Sequence, residues 1–189
     1  EKAYAMRDCF AKDSHFLEAQ LRTLYEEYEQ KGIDYAELPA GILRRPEELL
    51  KFVELIHAIE KERQQQGKQP ITLRPGLTIP RKLPPDKFKE QLFNYIPMIL
   101  QNPELASVTV LAHETNPTTE HLQAIREFLD IINEARPGFT IEIHAGETAA
   151  YGEVNINEAH EFAEKHPNLI LRMGHAIYGN QKFLPNVFV

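Results

Sequence analysis

Phe139-Thr140-Ile141-Glu142-Ile143-His144-Ala145-Gly146-Glu147 is a short apolar, β-branched run that stops at a histidine, a glycine and a carboxylate. Its first half reads as a strand, because such side chains favour a pleated surface and Pro137-Gly138 sets a turn before it. Two other stretches have the same plan. Ser107 to Ala112 runs into His113-Glu114, and Leu169-Ile170-Leu171-Arg172-Met173-Gly174 runs into His175. In parallel α/β folds the chemistry sits at the carboxyl ends of the strands. Three successive strand ends carrying histidine therefore predict one shared rim.

Upstream, Ile33 to Leu38 alternates apolar and polar residues, the period of a half-buried strand. Ile71 to Ile79 is a further strand, which Pro75-Gly76 should bend or bulge. Helical patterns fill the gaps. Ser14 to Lys31 turns Leu17, Leu21, Leu24, Tyr25 and Tyr28 inward. Pro46 to Gln66 carries Leu49, Leu50, Val53, Ile56 and Ile59, with Gly67 as its stop. Asp86 to Leu100 should kink or end early at Pro97. Asn116-Pro117 opens a helix bearing Leu122, Ile125, Phe128, Leu129 and Ile132. Asn155 with Glu158 resembles a capping box for a last helix, which Pro167 ends.

The strands start near residues 33, 71, 107, 139 and 169, at intervals of 30 to 38 residues. Each interval holds one strand, one helix and two loops, a βα unit with a right-handed crossover. The fold class is α/β, either an open doubly wound sheet or part of a (β/α)8 barrel. No Gly-x-Gly-x-x-Gly or phosphate-loop pattern occurs, which counts against a nucleotide-binding open sheet.

Composition narrows the chemistry. The 21 basic and 28 acidic residues give a net charge of −7, which disfavours a phosphate backbone as partner and predicts no nucleic-acid binding. No apolar run is long enough for a membrane span. A single cysteine, Cys9, excludes an internal disulfide framework and a Cys-Cys zinc site. Glu1 to Arg7 does not read as a signal peptide, and cytoplasmic and secreted settings both stay open. The absence of an initiator Met reads as a processed or excised chain. The 8 histidines therefore carry the expected chemistry. His15, His57, His121, His160 and His166 fall on helix faces or near helix ends and read as solvent-facing or structural. His144 and Glu147 read as a ligand and a nearby proton carrier, provided burial raises the Glu147 carboxyl toward neutrality. Gly146 between them lets a ligand approach the backbone.

Ile143-His144-Ala145-Gly146-Glu147-Thr148 resembles the His-Ala-Gly-Glu motif of the adenosine deaminase family, and Arg172-Met173-Gly174-His175-Ala176 resembles its Arg-Ile-Gly-His-Gly motif. Ala112-His113-Glu114 is similar to the Gly-His-Glu of the family's growth-factor-like branch, and Asp34-Tyr35-Ala36-Glu37-Leu38 to its second-strand motif. The resemblance covers about residues 30 to 180 and implies a partial (β/α)8 barrel, strands two to six of eight. On that reading residues 1–189 are one deaminase-like segment, with a helical region over 1–31 and five βα units over 32–189.

The resemblance implies zinc-dependent hydrolytic deamination of a purine nucleoside, adenosine to inosine and ammonia. His144 would be the metal ligand, Glu147 the proton donor to the purine ring, and His175 the group that assists the metal-bound water. Ala112, His113 and Gly146 would line the substrate. The chain departs from the family in having no His-x-His and no Asp-Asp, and in carrying Ala112 and Ala176 where Gly is usual and Pro39 where Arg is usual. The missing ligands predict that this chain alone does not turn over, and that zinc belongs to the complete protein. Missing segments or self-association would cover the open sheet edges. The alternative is a deaminase-like module that binds or interacts without catalysing.

Overall fold

The computed structural model describes residues 14–39, 46–175 and 177. In chain order they form α1 (Ser14–Gln30), β1 (Tyr35–Pro39), α2 (Pro46–Gln65), β2 (Thr72–Pro80), α3 (Pro85–Asn94), α4 (Ile96–Gln101), β3 (Ser107–Leu111), a 3-10 turn (Thr119–His121), α5 (Leu122–Ala135), β4 (Thr140–Ala145), α6 (Gly152–Lys165) and β5 (Leu171–His175). The strands make one parallel sheet in the order β1-β2-β3-β4-β5, with helices between them, which is the pattern of a partial (β/α)8 barrel. The chain divides at Pro75/Gly76, inside β2, into two compact units.

In the first unit α1 and α2 pack through Leu21, Tyr25, Leu49, Phe52, Ile56 and Ile59, all buried. Leu50 departs from the expected stripe: it is 50% exposed, and Phe52 takes the inward place. The Tyr25 hydroxyl donates to Glu60 Oε1 at 3.1 Å, and the Arg63 guanidinium lies 5.2 Å from the Tyr25 ring centroid. Burial, then the Glu60 charge, pushes the Tyr25 phenol well above its usual range. At the end of α2 the Gly67 N–H donates to Gln64 O and the Lys68 N–H to Arg63 O, so the last carbonyls are satisfied as the helix stops. The Thr72 N–H donates to Asp34 O at 2.8 Å, tying the start of β2 to the residue before β1. A cavity of about 550 Å³ is lined wholly by this unit, among others by His57, Lys61, Arg63 and Lys68; none of these is an expected site residue.

In the second unit β2 to β5 pair in parallel register. Register neighbours share a face of a sheet, and successive residues alternate between faces. Leu77, Val108 and Ile141 form one apolar row, and Ile79, Val110 and Ile143 the next, all fully buried. Helices α5 and α6 pack on β4, and α3 packs on α5. Phe128 of α5 meets Phe139 and Phe93 at ring-centroid distances of 6.4 Å each. The opposite face is polar: Thr78, Thr109, Glu142 and Arg172 form one row, with His144 beside Gly174 above it.

Three local expectations are corrected. Pro75-Gly76 does not interrupt β2, which runs on from Thr72 to Pro80, because the ladder to β3 begins at Gly76 and the N–H that proline lacks falls outside that register. Asn155 is not an N-cap: α6 begins earlier, at Gly152, and the buried Asn155 side chain donates to Glu114 O at 3.1 Å. Asn116-Pro117 does not open α5 directly, because Asn116 closes a turn on His113 O and a 3-10 turn precedes Leu122. The break expected near Pro97 is present. It falls at Tyr95 and leaves Pro97 in the first turn of α4, where its missing N–H costs nothing. Among the described residues no helix is long and apolar enough to cross a membrane. Ala176 lies outside the described residues.

Candidate active site

The carboxyl ends of β3, β4 and β5 hold the expected residues, and all of them belong to the second unit. At the end of β4, His144 is partly exposed and its Nε2 lies 3.1 Å from Glu142 Oε1. Both side chains stand on one face of the strand, two residues apart. At the end of β5, His175 leaves the strand with φ +72°, and its ring meets the His144 ring edge to face at 4.7 Å between centroids. Gly174 permits that approach: a Cβ there would fall 2.7 Å from His144 Cδ2, inside any normal contact. The glycine of the second motif is thus a packing requirement of the histidine of the first.

Past β4 the chain turns at Gly146, with φ +78°, a conformation that favours glycine. Gly146 O accepts from the Ile177 N–H at 3.0 Å, linking the exits of β4 and β5. Glu147 follows, exposed to solvent. The burial expected around it is not supplied by the described residues. At the end of β3, Ala112 has φ +95°, a left-handed backbone unusual for a residue with a Cβ. His113 is exposed and engages its own turn: its Nδ1 accepts from the Thr115 N–H at 3.4 Å, and its carbonyl accepts from Asn116. The structure thus brings His144 and His175 together and leaves His113 turned to its own loop.

Two buried charges complete the rim, and neither was singled out from the sequence. Glu114 is 2% exposed. Its Oε1 accepts from the Gly146 N–H at 2.6 Å, and its Oε2 accepts from the Thr148 N–H at 2.6 Å and the Thr148 hydroxyl at 2.7 Å. Burial alone would raise this carboxyl, but the Thr148 side chain and the N–H groups of Thr148, Glu147 and Gly146 outweigh it and hold it below the ordinary range. Arg81, just past β2, is 1% exposed. Its guanidinium donates to His144 O and, at 3.4 Å, to Thr118 Oγ1, while its main chain donates to Leu111 O and accepts from His121 Nε2. Burial lowers the Arg81 pKa, and the charges of Glu114 and Glu147 oppose that shift. His121 is accordingly a structural group, buried and stacked on Phe88 at 4.0 Å. Arg81 had one visible signal, a lone arginine straight after an apolar strand; Glu114 had another, its place beside His113.

The resemblance implies zinc at this rim. Two imidazoles and a carboxylate are apt donors. Yet among the described residues no group of three or more His, Cys, Asp or Glu side chains converges so as to hold a metal ion. The residues do not by themselves fit zinc.

No family model matches the sequence, and the comparison with curated proteins gives no match. Among solved structures, an adenine deaminase from Arthrobacter aurescens superposes with a TM-score of 0.58 at 17% identity, over 86% of this chain and 46% of that one. The likeness is one of fold. The chain spans about half the length of that structure.

Proposed function

We propose that the chain is the central part of a hydrolytic deaminase acting on a purine nucleoside, with adenosine, water and a proton as the inputs and inosine and ammonium as the products. The observation that carries the reading is the pair His144 and His175, from neighbouring strand ends and 4.7 Å apart, beside the Gly146-Glu147 turn. Together with the deaminase fold it supports a rim built for a flat, nitrogen-rich ring. Glu147 is the group to protonate the ring nitrogen, since a ring that gains a proton accepts a nucleophile more readily. Its exposure leaves the carboxyl accessible to an incoming ring, which would itself have to supply the cover that a proton donor needs. Gly146 allows the ring close to the backbone, and Ala112 and His113 border it from β3. His175 is the group that assists the attacking water. Zinc, which the resemblance implies, would need donors beyond those that the described residues bring together.

The test is deamination of adenosine by the longest chain in which these residues occur, against its Glu147→Gln variant. A loss of about 100-fold or more in kcat is expected, within the usual range for a positioned acid. Turnover within a few-fold of the parent overturns the role.

A second reading, a deaminase-like module that does not catalyse, is favoured by one observation: among the described residues no three metal donors converge. Stoichiometric zinc and nucleoside turnover in that longest chain would remove it.

A further inference from the structure

Strand β4 hands its two candidate groups, His144 and Glu147, to the rim through a short exit whose main chain is gripped from both sides. On the donor side, three groups of the Gly146–Thr148 turn converge on the Glu114 carboxylate at 2.6–2.7 Å. Successive N–H groups that converge in this way form a nest for an anion, and here the chain's own carboxylate fills it. On the acceptor side, Arg81 donates to the carbonyl of His144. Both side chains are almost fully buried, and each is tied in turn to its own surroundings. The Glu114 carbonyl accepts from Asn155 of α6 at 3.1 Å, and the Arg81 N–H donates to Leu111 O at 2.8 Å.

We propose that Glu114 and Arg81 are positioning residues of the β4 exit, the carboxylate holding its N–H groups and the guanidinium its carbonyl, so that together they set where His144 and Glu147 enter the rim. The chemistry of the clamp requires the charge. A carboxylate offers two acceptor oxygens to three donors, whereas the isosteric amide offers one oxygen and one NH2. Glu114→Gln therefore sets a donor against a donor at Gly146 or at Thr148. Neither side chain touches a reacting atom; they act through the backbone they fix. The proposal rests on the deaminase reading only for what His144 and Glu147 then do.

The test follows amide protons in the 189-residue chain, which reports on the clamp whether or not the protein turns over. In the parent, the Gly146 and Thr148 amides are expected downfield and slow to exchange. In Glu114→Gln they move upfield and exchange about 10-fold faster or more, while Val110 and Ile143 in the neighbouring strands keep their rates, a pattern that expresses the loss of charge-assisted bonds. Unchanged exchange at Gly146 and Thr148 overturns the proposal. If Glu114→Gln does not fold, Glu114→Asp, which keeps the charge one methylene shorter, and Thr148→Val, which removes only the hydroxyl donor, decide it. The aspartate should give intermediate exchange at both amides, and the valine should leave the Gly146 amide as in the parent; parent-like exchange at both amides in the aspartate variant counts against the clamp.

A kinetic arm uses the longest chain that deaminates. Glu114→Gln should lower kcat roughly 10- to 100-fold with KM within about 3-fold, since small misplacement of a reacting group costs rates of that order. Combined with Glu147→Gln it should add little further loss. Additive losses would show that Glu114 acts apart from Glu147. Absence of turnover in the parent defeats the deaminase reading and leaves the exchange result to decide the clamp.

Discussion

Ala112 and Gly174 are opposite answers to one steric problem. At φ +95° Ala112 holds a left-handed backbone that costs a residue with a Cβ about 1–2 kcal/mol, and glycine would return roughly 0.5–1 kcal/mol of that as extra freedom in the unfolded chain. The net change for Ala112→Gly is a gain of a few tenths to about 1 kcal/mol. In a chain of this length that is a rise of roughly 1–4 °C in Tm by scanning calorimetry. A fall in Tm would show that the Ala112 methyl makes packing contacts worth more than the strain. At Gly174 the space is taken by His144, whose Cδ2 would lie 2.7 Å from an added Cβ. Gly174→Ala should destabilise by about 1–3 kcal/mol, the usual cost of overpacking. It should also turn the His144 ring away from His175, which imidazole proton shifts would report. Unchanged shifts with an unchanged Tm would contradict this packing of Gly174 against His144.

The exit of β4 is held by side chains from other elements, and that is why the sequence was legible for some parts and silent for others. The strands and helices were readable because their signals are local: β-branched runs such as Val108-Thr109-Val110, the three-and-four spacing of Leu122, Ile125, Phe128, Leu129 and Ile132, and the break around Pro97. The partners of His144 were readable only in part. Its neighbour His175 followed from the shared strand-end pattern, but Arg81 lies 63 residues away from His144, and Glu114 lies 32 residues away from Gly146. No local period records such pairings. Asn155 misled for a related reason: its spacing to Glu158 mimics a cap, while its side chain is spent on Glu114 O. The Glu114 bonds also carry a pH signature. A carboxyl held below its ordinary value of 4.5 contributes stability in full above that value and loses it as pH falls through the lowered one. Glu114→Gln should therefore cost about 2 kcal/mol or more near neutrality, by urea unfolding, as expected for bonds to a buried charge. The gap from the parent should narrow below pH 4.5, where the carboxyl of the unfolded parent gains its proton before that of the folded one. A gap that stays constant from neutrality into that acid range would refute the assignment.

The donor inventory of the chain as a whole bears on what it can do alone. All 8 histidines lie within the described residues, and His144 and His175 meet each other at the rim. His121 is committed to Arg81 O, tying its turn to the exit of β2, while His160 lies 3.4 Å from Glu164 and His166 bonds Phe162 O, each within its own helix or at its end. The nearest carboxylate to His144, that of Glu142, is engaged with its Nε2. Zinc sites in proteins normally draw on three or four protein donors. Complete structural sites reach apparent binding free energies of about 10–16 kcal/mol, and two imidazoles fall well short of that. The 189-residue chain should accordingly bind zinc with a Kd weaker than about 1 µM at neutral pH, a ceiling of about −8 kcal/mol. His144→Ala should weaken even that residual binding, because the metal would have to engage the one imidazole pair the rim provides. Isothermal titration of the parent and of the variant measures both. Tight, stoichiometric binding by the parent that persists in His144→Ala would place the metal elsewhere on the molecule. Tight binding that His144→Ala abolishes would mean that the rim rearranges to recruit donors it does not now hold, Glu142 first among them, since freeing its carboxylate from the His144 ring is the smallest movement that brings an oxygen donor to the pair.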